Sequence, residues 1–88
     1  MDIGNLIRMA NRIGDFFGAA CPDPAEAAEG VAGHIEKFWE PRMRAALLDF
    51  LARHPDGLGE HEQLSSLVRD AVAARRERLA PKQRGLSS

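Results

Sequence analysis

The side chains that could perform catalysis are few and scattered along this chain. The three histidines, His34, His54 and His61, are separated by predicted helix boundaries, and Cys21 is the single cysteine. A zinc site needs three or four such ligands, and the sequence contains neither an HExxH motif nor a second cysteine. A zinc site would have to combine distant histidines and carboxylates, so the sequence does not favour one.

The glycines form no phosphate-binding loop either. The richest stretch, GAACPDPAEAAEG at 18–30, lacks both the GxxxxGK[ST] spacing and the preceding strand that such a loop needs. We therefore predict that the chain is not an enzyme and that it holds no metal or cofactor of its own.

Nucleic-acid binding would have to depend on the basic C-terminal end. Residues 1–60 contain ten Asp/Glu and six Lys/Arg, whereas residues 61–88 contain three and six, and the whole chain has a formal charge of -1. A short run such as RRERLAPKQR is more typical of a solvated helix end than of a phosphate-binding patch. A nucleic-acid-binding regulator is thus the weaker alternative.

Protein recognition is favoured by the stretch HIEKFWEPRMR, residues 34–44. Trp, Arg and Met are enriched in protein interfaces, which points to Trp39, Arg42 and Met43 as contact residues. On a helix, residues 38 and 39 lie about 100° apart, so we expect Phe38 to face the core and Trp39 to face outward. The alternative is that Trp39 anchors the core and that the arginines are merely solvated.

Four helical segments must position these residues. Asp2 is a plausible N-cap for the first, and Asp23-Pro24 with Glu26 is a clear start signal for the second. Pro41 ends the second helix and can open the third, and the HPDGLG turn at 54–59 ends the third. The predicted helices cover about residues 2–20, 23–39, 41–53 and 62–79.

The first helix has more apolar surface than a small core requires. A second apolar patch, formed by Met9, Phe16 and Ala20 and bordered by Asn5 and Arg12, lies beside the core-facing stripe. We expect another helix or another protein to cover this patch. The core-facing stripe itself consists of Ile3, Leu6, Ile7, Ala10, Ile13, Gly14 and Phe17.

These patterns predict an all-α protein, a small bundle of three to four helices, with one domain at 1–80 and a disordered basic tail at 81–88. The N-terminus does not have the pattern of a signal peptide, and no apolar run approaches the about 20 residues that span a bilayer. We therefore expect a cytoplasmic protein that does not bind membranes.

Two blocks of the sequence resemble a known family. NLIRMANxIGxFF at 5–17 and HxxxFWxPRMR at 34–44 are similar to segments of the delta subunit of soluble NAD-dependent formate dehydrogenases. The resemblance covers about residues 1–54, and the second half of the chain is similar only as a looser helical stretch.

The resemblance implies a non-catalytic accessory subunit of a cytoplasmic molybdenum- or tungsten-dependent enzyme that oxidises formate and reduces NAD. Molybdopterin, iron-sulfur clusters and FMN would belong to the larger subunits, and the partner would be the catalytic (alpha) subunit in a hetero-oligomer without nucleic acid. The alternative is a transient assembly or cofactor-insertion chaperone for the same enzyme. The expected partner interface comprises Asn5, Arg8, Met9, Arg12, Phe16, His34, Trp39, Arg42 and Met43.

Overall fold

The all-α prediction is confirmed over residues 2–81, the part of the chain that this computed structural model describes. The helix count there is one above the predicted three to four, and none of these helices is long and apolar enough to cross a membrane. Apart from Pro81, the predicted disordered tail lies outside the described residues. The helices are α1 (Ile3–Ala20), α2 (Pro24–Phe38), α3 (Pro41–Arg53), α4 (Ser66–Ala74) and α5 (Arg76–Leu79).

Local capping signals set the starts of the first three helices. The Asp2 carboxylate accepts a hydrogen bond of 3.0 Å from the Gly4 N–H at the start of α1. Asp23 does the same for the Ala25 N–H at the start of α2, also at 3.0 Å. Pro41 is the first residue of α3. An N-cap satisfies one of the amide groups that a helix start leaves unpaired, so these short motifs fix helix starts without tertiary contacts.

The predicted fourth helix, 62–79, is wrong at its start and in its continuity. The helix begins four residues later, where the Ser65 hydroxyl accepts a 3.4 Å hydrogen bond from the Val68 N–H. It is then interrupted at Arg75, whose φ of -125° and ψ of 33° separate α4 from the single turn of α5.

A folded loop occupies the residues before α4. Gly57 has a φ of 79°, in the left-handed region that favours glycine, and its carbonyl accepts a 2.9 Å hydrogen bond from the Leu64 N–H. The Asn11 side chain on α1 donates to the Gln63 carbonyl and accepts from the Ser65 N–H, each at 2.9 Å. Asn11 hydrogen-bonds to the backbone on both sides of Leu64 and so fixes the loop to α1. These residues therefore do not form an N-terminal extension of α4.

The core contains side chains from all five helices, from Trp39 just after α2 and from Leu64 in the loop. α1 packs against α2, and α2 packs against α4. At Gly14 the side chain of Val68 on α4 approaches α1 closely, since a Cβ at position 14 would lie 2.6 Å from Val68 Cγ2. The buried apolar residues are Leu6, Ile7, Ala10, Ala27, Val31, Ala32, Ile35, Trp39, Leu47, Phe50, Leu51, Leu64, Val68, Ala71, Val72 and Leu79.

The two adjacent aromatic residues at the end of α2 face the opposite way to the prediction. Trp39 is buried in the core with 6% of its surface exposed, whereas Phe38 is 70% exposed. The prediction assumed that both residues are helical, but α2 ends at Phe38. Trp39 is its C-cap, with an extended φ of -86° and ψ of 137°. The 100° helical spacing therefore does not apply to Trp39.

Candidate functional site

Four aromatic rings form a row across the junction of α1 and α2. The centroids of Phe16 and Phe17 are 5.0 Å apart with an interplanar angle of 86°, an edge-to-face pair. Phe17 lies 6.4 Å from the His34 ring, and His34 lies 4.8 Å from Phe38. These separations are typical of interacting aromatic side chains. We call these four residues the aromatic row.

The ends of the aromatic row are exposed, while its middle is held in place. Phe16 is 64% exposed and Phe38 is 70% exposed, the two highest values among the large apolar side chains of residues 2–81 that lie at the surface. Phe17 packs against the backbone of α2 at Gly30, where a Cβ would lie 2.6 Å from Phe17 Cε1. The row is therefore apolar surface on a rigid support, a feature of protein interaction sites.

A shallow groove of about 330 Å³ runs beside the aromatic row. It is lined by Arg12, Ile13, Phe16, Phe17 and His34. No carboxylate lines it, and Arg12 makes no ion pair with any other residue in 2–81. The groove is apolar with one unpaired cation at its edge.

Three of the predicted interface residues, Arg12, Phe16 and His34, meet at this groove. Phe38 is not among the predicted interface residues, although His34 and Phe38 are one helical turn apart and share a side of α2. That i, i+4 spacing is a signal the sequence does contain.

The other predicted residues of α1 make contacts within the chain. Arg8 forms an ion pair with Glu62, which attaches the loop before α4 to α1. The Asn5 side-chain nitrogen lies 3.6 Å from the sulfur of Met9, and Met9 itself packs in part against the core. Of these three predicted residues, Arg8 therefore has a clear structural role.

The predicted residues at the start of α3 differ in exposure. Arg42 is exposed, with its guanidinium 3.7 Å from the Glu40 carboxylate. Met43 is half-buried against the core, which also contains Trp39. The neighbouring Arg44 has a buried Nε without a hydrogen-bond partner among residues 2–81.

Two arginines of the basic C-terminal end bind acidic residues of α2. Arg78 lies 2.7 Å from Glu29 and 2.8 Å from Glu36, and Arg75 lies 3.2 Å from Glu29. Hydrogen bonds from Arg78, and then from Arg75, hold the pKa of the Glu29 carboxyl below its ordinary value. Hydrogen bonds to Glu36 and Glu29 in turn raise the pKa of Arg78. Cations already paired in this way are less available to phosphates, which weakens the nucleic-acid alternative.

The remaining ionisable side chains form no metal centre in the described part of the chain. His54 and His61 both line a pocket of about 450 Å³ at the start of α1, although the sequence suggested that they were isolated from each other. No group of three or more His, Cys, Asp or Glu residues within 2–81 is arranged to hold a metal ion. Cys21, after α1, is a half-buried free thiol.

Comparison with known proteins identifies one family. The family described as NADH-dependent formate dehydrogenase delta subunit FdsD matches residues 5–72 of the 88-residue chain. That range includes the whole aromatic row and all of α2 and α3. No curated protein and no solved structure matches the chain.

Proposed function

Because the chain belongs to the FdsD family of NADH-dependent formate dehydrogenase delta subunits, we propose that it is a non-catalytic accessory subunit that binds and stabilises the catalytic (alpha) subunit. A delta subunit is one component of a multi-subunit enzyme, so its surface must include at least one contact with another subunit. The aromatic row is the observation that carries the proposal.

The energetic basis is the apolar surface that the row leaves in water. Covering the exposed parts of Phe16 and Phe38 would remove roughly 250 Å² from solvent, or about 6 kcal/mol before the costs of association. Aromatic side chains on a rigid support lose little conformational entropy when a partner covers them. The row can therefore supply the central contact of an interface whose rim is polar.

Stabilisation follows from binding the native partner and not its unfolded form. At a free concentration about 100 times Kd, such binding stabilises the bound protein by about 2.7 kcal/mol. In this proposal molybdopterin, iron-sulfur clusters and FMN belong to the larger subunits, which oxidise formate and reduce NAD in the cytoplasm with molybdenum or tungsten. The delta chain contributes binding surface.

The test is to purify the mature enzyme through a tag on the catalytic subunit and to measure the amount of the delta chain. The proposal predicts stoichiometric delta chain in the cofactor-loaded enzyme and a lower melting temperature of the catalytic subunit when the delta chain is deleted. Delta chain bound only to the cofactor-free catalytic subunit would instead indicate a transient assembly chaperone. Absence of binding to either form would contradict both functions.

A further inference from the structure

The groove beside the aromatic row restricts the chemistry of what can bind there. Its lining combines Ile13, Phe16 and Phe17 with His34, so apolar side chains are the groups that it can bury favourably. Its volume of about 330 Å³ is at the lower end of the range for small-molecule sites, about 300–1,000 Å³. Because the groove is also shallow and open, it is better suited to side chains projecting from a protein surface than to an enclosed cofactor.

Arg12 determines the charge that the occupant must carry. One turn earlier, Arg8 is neutralised by Glu62, whereas Arg12 has no ion pair within residues 2–81. A partner covering the groove would take the Arg12 guanidinium at least partly out of water. Desolvating an unpaired charge is costly, and a carboxylate from the partner would offset that cost.

Building on the proposed function, we propose that this groove binds an amphipathic segment of the catalytic subunit. Large apolar side chains of that segment contact Phe16 and Phe38, and an Asp or Glu on the same segment pairs with Arg12. A guanidinium can bind a carboxylate through two parallel hydrogen bonds, so Arg12 also sets the register of the segment along the row.

A second copy of this chain is a poorer occupant. In a two-fold symmetric dimer centred on the groove, the two grooves would face each other. The groove lining contains Arg12 and His34 and no carboxylate, so the symmetric contact would supply no acidic partner for Arg12. Charge complementarity thus favours a different chain.

The experiment measures binding of the full-length chain and its variants to purified catalytic subunit, with circular dichroism to confirm that each variant is folded. Phe16→Ala and Phe38→Ala should each weaken binding about tenfold or more. Arg12→Glu should weaken binding at least about tenfold, whereas Arg12→Lys should weaken it less, because lysine keeps the positive charge but cannot form two parallel hydrogen bonds to the carboxylate. The matched controls are Leu58→Ala, an exposed apolar side chain outside the row, and Arg76→Glu, an exposed arginine of α5. Both should bind like wild type.

Salt dependence separates the charge contribution from the apolar one. Raising the salt concentration should weaken wild-type binding, and Arg12→Gln should reduce that dependence because the proposed ion pair is missing. Tighter binding of Arg12→Glu, or an unchanged salt dependence in Arg12→Gln, would overturn the acidic-segment inference.

The remaining outcomes distinguish the two proposals. If wild type binds the catalytic subunit and the groove variants bind equally well, the groove inference is wrong and the proposed function stands. If wild type does not bind at all, the proposed function fails. A wild-type dimer that Phe16→Ala converts to monomer would show that the groove is occupied by a second copy.

Discussion

Replacing Trp39 with alanine should remove a large part of the stability of the isolated chain, whereas replacing its neighbour Phe38 should remove little. Trp39 is 6% exposed within the core, and Phe38 is 70% exposed. The two positions are adjacent, so the comparison tests side-chain burial at one place in the fold.

The expected magnitudes follow from these exposures. Truncating a buried tryptophan to alanine costs about 3–5 kcal/mol through lost burial and the cavity left behind. A chain of this length has a free energy of unfolding of roughly 4–13 kcal/mol, so Trp39→Ala should be close to the limit of folding. Phe38→Ala should change the free energy of unfolding by less than about 1 kcal/mol, because the ring is mostly in water.

The assay is urea and thermal unfolding followed by far-ultraviolet circular dichroism, a signal that does not depend on the tryptophan that Trp39→Ala removes. A domain of this size changes its Tm by about 4–8 °C per kcal/mol, so Trp39→Ala should melt at least about 12 °C below wild type and Phe38→Ala within about 8 °C. Tryptophan fluorescence gives an independent check, since Trp39 is the only tryptophan. Its emission should shift to longer wavelength when wild type unfolds.

Equal losses of stability in the two variants, or a larger loss in Phe38→Ala, would refute the assignment of Trp39 to the core. Emission from folded wild type that already resembles a solvent-exposed indole would refute it as well. A larger loss in Phe38→Ala together with exposed-indole emission would favour the arrangement first expected from the sequence, with Phe38 inside.

Three further predictions concern the support of the aromatic row and the rest of the fold. Gly30→Ala should lower the free energy of unfolding by about 1–3 kcal/mol in urea, because the new Cβ displaces the Phe17 ring. Gly33→Ala on the same helix should leave the free energy of unfolding unchanged or raise it by up to about 1 kcal/mol. Stabilisation by both substitutions would contradict the packing of Phe17 on Gly30. Asn11→Ala should lower the free energy of unfolding by about 1–3 kcal/mol, and Asn11→Asp, which keeps only the acceptor, should lower it by less. An unchanged free energy of unfolding in Asn11→Ala would show that the loop does not depend on this amide. Since the pKa of Glu29 is lowered in the folded state, its ion pairs stabilise the fold above the ordinary carboxyl pKa, and this contribution is lost as pH falls through the folded-state pKa. In melting curves recorded from neutral to acid pH, the Tm of Glu29→Gln should therefore fall less than the Tm of wild type. Identical pH profiles of Tm would contradict this role of Glu29.

The sequence predicts the helices well where their ends depend on local chemistry. Asp23 and Pro24 start α2, and Pro41 starts α3, because capping and the fixed φ of proline involve only neighbouring residues. The surplus apolar surface predicted at Met9, Phe16 and Ala20 is confirmed for Phe16 and Ala20, which are exposed, whereas Met9 packs in part against the core. These features need no knowledge of the tertiary structure.

The sequence fails where distant residues decide the local structure. The start of α4 depends on the Asn11 amide, which is more than fifty residues away from the loop that it holds. The orientation of Trp39 depends on where α2 stops, and an error of one residue there changes its direction from solvent to core. The same one-residue error in the end of α2 makes the sequence-based prediction place Phe38 in the core and outside the candidate site.

Site-specific photo-crosslinking can detect the proposed contact between the aromatic row of the delta subunit and the catalytic subunit. A photoreactive phenylalanine analogue at position 16 or 38 should crosslink to the catalytic subunit in the assembled enzyme. The same analogue at the exposed position Ala73 on α4 is the control and should not crosslink. The crosslinked peptide of the catalytic subunit should contain an Asp or Glu close to the attached residue. Crosslinks from position 73 without any from 16 or 38 would contradict the proposed contact.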